Sequence, residues 1–136
     1  MKARPFSSVL VANRGEIALR VIEEARQRDF TAIAVHSSAD ADMPFVRAAD
    51  LSVCIGPAPA APSYLNIEAI LDAARRTGAE AIHPGYGFLS ENAAFARAVL
   101  DAGLVWIGPP PDAIEAMGDK AKAKTLMIEA GVPTLP

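Results

Sequence analysis

His83-Pro84-Gly85-Tyr86-Gly87-Phe88-Leu89-Ser90-Glu91-Asn92 is the stretch on which the fold is decided. It follows the largely apolar segment Ala79-Glu80-Ala81-Ile82 and opens a helical pattern that begins near Asn92. Glycines on both sides of Tyr86 let the backbone turn where a side chain would obstruct it. A strand end, a glycine turn and a helix start together form the place where open α/β sheets bind ligands. Backbone N–H groups and the positive end of a helix dipole would face that crevice. The same residues also read as a tight strand-to-helix turn without a ligand, because a glycine turn alone carries little specificity.

The pattern repeats on the N-terminal side. Ser8 to Ala12 is a short apolar run of the kind a buried strand uses, and Asn13-Arg14-Gly15 turns the chain. A helix is predicted from Glu16 to Arg28, with Ile17, Ala18, Val21, Ile22 and Ala25 forming one stripe toward the sheet. Glu16–Arg20 and Glu24–Arg28 are i, i+4 pairs on its outer face. Thr31 to Val35 is the second strand, His36 to Asp42 a polar loop, Met43 to Ala49 a short helix, and Leu51 to Ile55 a third strand. Proline breaks the segment from Gly56 to Pro62. The next helix is capped by Asn66, buries Ile67, Ile70, Leu71 and Ala74, and ends at Gly78.

Beyond the turn, a helix over Asn92 to Ala102 buries Phe95, Val99 and Ala102 and stops at Gly103. Leu104 to Ile107 is the fifth strand, Asp112 to Met117 a short helix, and Asp119 caps a last helix ending at Gly131. Alternation of strands and helices requires long crossovers. The expected fold is α/β: a Rossmann-like, mostly parallel five-stranded sheet with helices on both faces and right-handed crossovers.

Composition narrows the function classes. A chain of 136 residues, 51% apolar, is long enough for one domain with a core. A net charge of −3 without a basic face argues against nucleic acid. No apolar run approaches the roughly 20 residues of a membrane helix, and no secretory or transit segment is evident. The single cysteine, Cys54, reads as a small core residue in a reducing, cytoplasmic setting. One Cys and two separated His residues make no zinc site.

Other candidates are ambiguous on their own. Asn13-Arg14-Gly15-Glu16 stands where a dinucleotide-binding fold carries G-x-G-x-x-G, but only one glycine is present, which disfavours a nicotinamide dehydrogenase. Arg14 and Glu16 read as a local polar network. Lys120 opens a helix against its dipole, which a bound phosphate would compensate; a solvated basic face with Lys122 and Lys124 is the alternative. His36 and His83 at strand ends read as structural. Glu91 either caps a helix or lines the pocket.

Five blocks carry a resemblance to one family. They are V-L-V-A-N-R-G-E-I-A-L-R-V at 9–21, C-I-G-P-A-P-A at 54–60, S-Y-L-N at 63–66, H-P-G-Y-G-F-L-S-E-N at 83–92 and M-G-D-K at 117–120. In this order they resemble the N-terminal, pre-ATP-grasp domain of biotin carboxylases, as found in acyl-CoA and pyruvate carboxylases. The resemblance implies that residues 1–117 form that domain and 118–136 are a helix and linker leading toward an ATP-grasp domain. It implies ATP- and bicarbonate-dependent carboxylation of carrier-bound biotin, with Mg²⁺ on the phosphates.

Residue by residue, the resemblance makes Lys120 an ATP ligand and places Tyr86 and Gly87 beside the biotin and bicarbonate pocket, with Glu91 supporting that wall. Lys122 and Lys124 gain nothing from it, and no catalytic or metal-binding residue maps onto this stretch. Implied partners are the ATP-grasp domain, a biotin carboxyl carrier, a carboxyltransferase and a second copy in a homodimer. The first helix makes dimer contacts in bacterial members. Arg20 fits that pattern, whereas Glu23 and Gln27 depart from its basic–acidic arrangement. The implied compartment is cytoplasmic, or the mitochondrial matrix in a eukaryote. The competing readings are another ATP-grasp ligase and a non-catalytic docking or dimerisation module.

Overall fold

Strands and helices alternate as the periodicity predicts in the computed structural model, which describes residues 6–117. The elements are β1 (Ser8–Val11), α1 (Gly15–Gln27), β2 (Thr31–Ser37), α2 (Pro44–Ala48), β3 (Leu51–Gly56), α3 (Ile67–Thr77), β4 (Ala81–His83), α4 (Ala93–Asp101) and β5 (Val105–Trp106). Residues 111–117 are helical as well. The five strands pair in parallel in the order β3-β2-β1-β4-β5. The reading of the sequence as a Rossmann-like α/β sheet holds.

Alternation along the central strands sends side chains to two cores. Leu10, Ile33, Val35 and Ile82 pack under α3 and α4 with Ile70, Phe95 and Trp106. Val9, Val11, Ala32 and Ala34 meet Ala18, Ile22 and Phe45 on the opposite face. Each large apolar side chain so buried contributes about 1.5–3 kcal/mol. Helix α1 presents Ala18, Ile22 and Ala25 to the sheet, at i, i+4 and i+7. Ile17 and Val21, predicted in the same stripe, are half-buried on its flank. The Glu16–Arg20 and Glu24–Arg28 pairs form at 3.2 and 2.8 Å.

The punctuation behaves as its chemistry dictates. Asn66 accepts from the Ala69 N–H at 3.1 Å, and Asn92 from the Phe95 N–H at 2.9 Å. Gly78 closes α3 in the left-handed region at φ 73°. Three expectations need correction. Cys54 is exposed, because β3 is an edge strand whose alternate residues have no helix over them. Ala102 is exposed, because α4 ends at Asp101. The segment read as a loop from His36 continues β2 through Ser37 and then makes a 3₁₀ turn, Ser38–Asp40, in which Asp40 is buried. The predicted helix after Asp119 lies outside the described residues.

Candidate functional site

Chain order sets the position of the site. From β1 the chain moves to β2 and β3 on one side, then crosses to β4 and β5 on the other. The order therefore reverses between β1 and β4, and their carboxyl ends frame the crevice where such sheets place ligands. The turn after β1 carries Asn13 and Arg14; the turn after β4 carries Pro84 to Glu91.

The second turn has three residues at positive φ: Gly85 at 66°, Gly87 at 71° and Phe88 at 46°. The two glycines answer different needs. A Cβ on Gly85 would come within 2.6 Å of Asn13 Nδ2, whereas one on Gly87 would meet nothing within 4 Å. Gly85 is thus demanded by close approach as well as by dihedral, and Gly87 by dihedral alone. Phe88 is a bulky residue in a conformation few such residues adopt. Its ring stacks on Tyr64 with centroids 5.2 Å apart, which helps hold it there.

Asn13 bridges the two turns. Fully buried, its Nδ2 donates to the carbonyls of Pro84 at 2.9 Å and Tyr86 at 2.6 Å, and its Oδ1 accepts from the Arg14 N–H at 2.9 Å. Below it, the Ala12 N–H donates to the His83 carbonyl at 2.9 Å. The crevice between β1 and β4 is filled by this side chain. Open space lies one strand along: a cavity of about 580 Å³ at the ends of β4 and β5, lined by His83, Tyr86, Ser90, Glu91, Pro109 and Met117 among others. Trp106 Nε1 donates to the Pro109 carbonyl at 2.7 Å and fixes the far wall.

Tyr86 and Glu91 thus meet at one cavity, Tyr86 with 76% of its surface exposed. Gly87 lies between them in the chain and is not among the lining residues. Lys120 lies outside the described residues. Arg20, Glu23 and Gln27 are all exposed on the outer side of α1. His83 Nδ1 accepts from the Gly85 N–H at 3.0 Å, so the neutral ring with its proton on Nε2 fits the turn. Burial pushes its pKa below the ordinary 6.5. Among the described residues no lysine or arginine lines the cavity, so an anion held there needs cationic partners from outside them. Among the described residues no three His, Cys, Asp or Glu side chains come together to hold a metal ion.

A second polar cluster backs the turns. Arg14 grips Asp40 through two bonds of 2.7 and 2.9 Å. The Tyr64 hydroxyl donates to Asp40 at 2.6 Å and accepts from the Ser37 N–H at 3.0 Å. The bond from Arg14 holds the Asp40 carboxyl down at about 2, and burial, aided by Asp40, pushes the Tyr64 hydroxyl up to about 12. The local network expected of Arg14 exists, with Asp40 as its partner; Glu16 faces outward to Arg20 instead. Sequence reasoning did not single out Asn13, Asp40 or Tyr64. Their role depends on which strands are neighbours; the blocks at 9–21 and 63–66 contain Asn13 and Tyr64 without saying what either does.

The profile of the biotin carboxylase N-terminal domain matches residues 5–114. The chain belongs to that family. Among its relatives is the biotin carboxylase of Haemophilus influenzae, 56% identical over 131 residues, which covers 96% of this chain and 29% of the relative. The mitochondrial methylcrotonoyl-CoA carboxylase subunit alpha of Oryza sativa is 59% identical over 94% of this chain and 17% of its own length. The crystal structure of a biotin carboxylase β,γ-ATP complex from Campylobacter jejuni superposes with a TM-score of 0.85 at 48% identity, over 96% of this chain and 29% of that one. The chain therefore spans less than a third of these biotin carboxylases, and it corresponds to their N-terminal part. No helix among the described residues is long and apolar enough to cross a membrane.

Proposed function

We propose that this chain is the N-terminal part of a biotin carboxylase, a ligase that uses ATP and bicarbonate to carboxylate biotin on a carrier protein or domain. The observation that carries this reading is the meeting of Tyr86 and Glu91 at the cavity beyond β4, on a turn whose sequence is the family's own block. On this reading residues 1–117 form the pre-ATP-grasp domain and 118–136 lead toward the ATP-grasp domain of the same polypeptide. The residues of the turn line one side of the biotin and bicarbonate pocket: Tyr86 and Gly87 lie beside the ligand and Glu91 supports them. Lys120 binds the phosphates of ATP, and Mg²⁺ is held elsewhere in the parent. The carrier and a carboxyltransferase are the partners, and the carboxyltransferase selects the acceptor, an acyl-CoA or pyruvate. Arg20, Glu23 and Gln27 form the face of α1 available to a second copy. The cytoplasm, or the mitochondrial matrix in a eukaryote, is the compartment.

The deciding experiment is ADP release by the full-length parent with bicarbonate and Mg²⁺, with and without free biotin. Biotin-dependent release is the expected result, and Lys120→Ala should then raise the KM for ATP. Bicarbonate-dependent release indifferent to biotin would replace this reading with another ATP-grasp ligase.

A further inference from the structure

The geometry points to Asn13 as a positioning residue for the biotin and bicarbonate wall. The inference rests on the functional reading above and adds a residue that reading does not include. Asn13 stands at the switch point of the sheet, in the turn after β1, the strand that neighbours β4, and it is not among the residues lining the cavity beyond β4. Its influence passes through the main chain of the glycine turn.

The side chain is nearly saturated. Both Nδ2 hydrogens are used, on the carbonyls of Pro84 and Tyr86, and Oδ1 is held by the Arg14 N–H. These partners fix the orientation of the amide: reversed, it would set an oxygen against two carbonyl oxygens. The Tyr86 carbonyl belongs to the peptide that joins Tyr86 to Gly87, so the bond at 2.6 Å fixes the plane from which both residues project. Gly85 leaves no slack on the other side, since a Cβ there would lie 2.6 Å from Nδ2 and 2.9 Å from Asn13 Cβ. Tyr86 itself is 76% exposed, so its main chain is the part of it that the turn holds. The amide thus sets where Tyr86 and Gly87 stand.

Asn13→Asp keeps the volume, removes both donors and turns a carboxylate oxygen toward two carbonyls. In the parent enzyme it should lower kcat for biotin carboxylation by about 10²-fold, the scale of a 1 Å misplacement, and raise the KM for bicarbonate. The Kd for ATP, measured by nucleotide competition, should stay within about twofold. Gly85→Ala presses the turn away from the opposite side. It should give the same split, and it carries the test if Asn13→Asp does not fold. Thermal melts establish the folded fraction of both.

A fall in folded enzyme alone, with bicarbonate and ATP constants unmoved, would leave Asn13 a structural residue and overturn the inference. So would loss of ATP affinity in step with bicarbonate. Biotin-dependent turnover left within twofold of wild type would overturn it while the functional reading stands. Wild-type turnover indifferent to biotin would overturn both.

Discussion

Asp40 is nearly buried and carries its charge there because Arg14 and Tyr64 surround it. Its carboxyl falls from 3.8 to about 2 on folding. The stabilisation is therefore fully present above pH 3.8 and disappears as the pH falls through about 2. At neutral pH it amounts to at most about 2 kcal/mol, the exposed Arg14 head group screening part of it. Asp40→Asn should cost about that much in urea denaturation at pH 7 and flatten the acid limb of the stability curve. An unchanged acid limb would place the charge elsewhere. Tyr64→Phe keeps the stack on Phe88 but strands the Ser37 N–H, a loss of about 1–3 kcal/mol in the same measurement. For His83 the sign runs with pH in the same direction. Burial disfavours its charged form, so the native state loses stability as pH drops below 6.5 and the unfolded chain takes up the proton. His83→Asn supplies an oxygen for the Gly85 N–H and does not titrate. The midpoint should then differ less between pH 5.5 and 8 than in the wild type.

Helices and strands were legible where the chemistry is local. Asn66 and Asn92 cap their helices as their positions before the apolar stripes suggest, and replacing either with alanine should cost about 1 kcal/mol at unchanged denaturant slope. Gly78 is read by the same logic. The strand β2 was read two residues short because His36 and Ser37 are polar. They stay in the sheet because Tyr64, 27 residues beyond Ser37, supplies an acceptor for the Ser37 N–H. Cys54 was misplaced for a different reason. An apolar run says that a strand exists, but only the strand order says that it lies at an edge with one face open. The glycine turn was visible in the spacing of Gly85 and Gly87. The asymmetry between them was not, because the obstruction at Gly85 comes from a side chain 72 residues away in the sequence.

At the scale of the molecule, the sheet delivers both turns to one edge, and no described residue lining the cavity beside β4 is a cation. A groove of about 610 Å³ also runs along α1, between Ile17 and Val21 on one side and Ile107 on the other. The chain on its own should therefore bind ATP more weakly than micromolar and release no ADP. Calorimetry with the isolated chain checks this, and micromolar affinity would mean that the phosphate ligands besides Lys120 lie within it too.

The central strand has one further consequence, which concerns the order of synthesis. β1 pairs with β2 on one side and with β4 on the other. Between the emergence of Gly56 and that of Ala81, its second edge has no partner. At roughly 5–20 residues per second, that interval lasts on the order of one to five seconds. During it Asn13 has none of its partners across the sheet, and the apolar row of Val9, Leu10 and Val11 sits on an open edge. A nascent chain stalled at successive lengths should generate its main folding force once His83 clears the ribosome, not when Gly56 does. Until then the half-made sheet is a client for whatever shields unpaired strands at the tunnel exit.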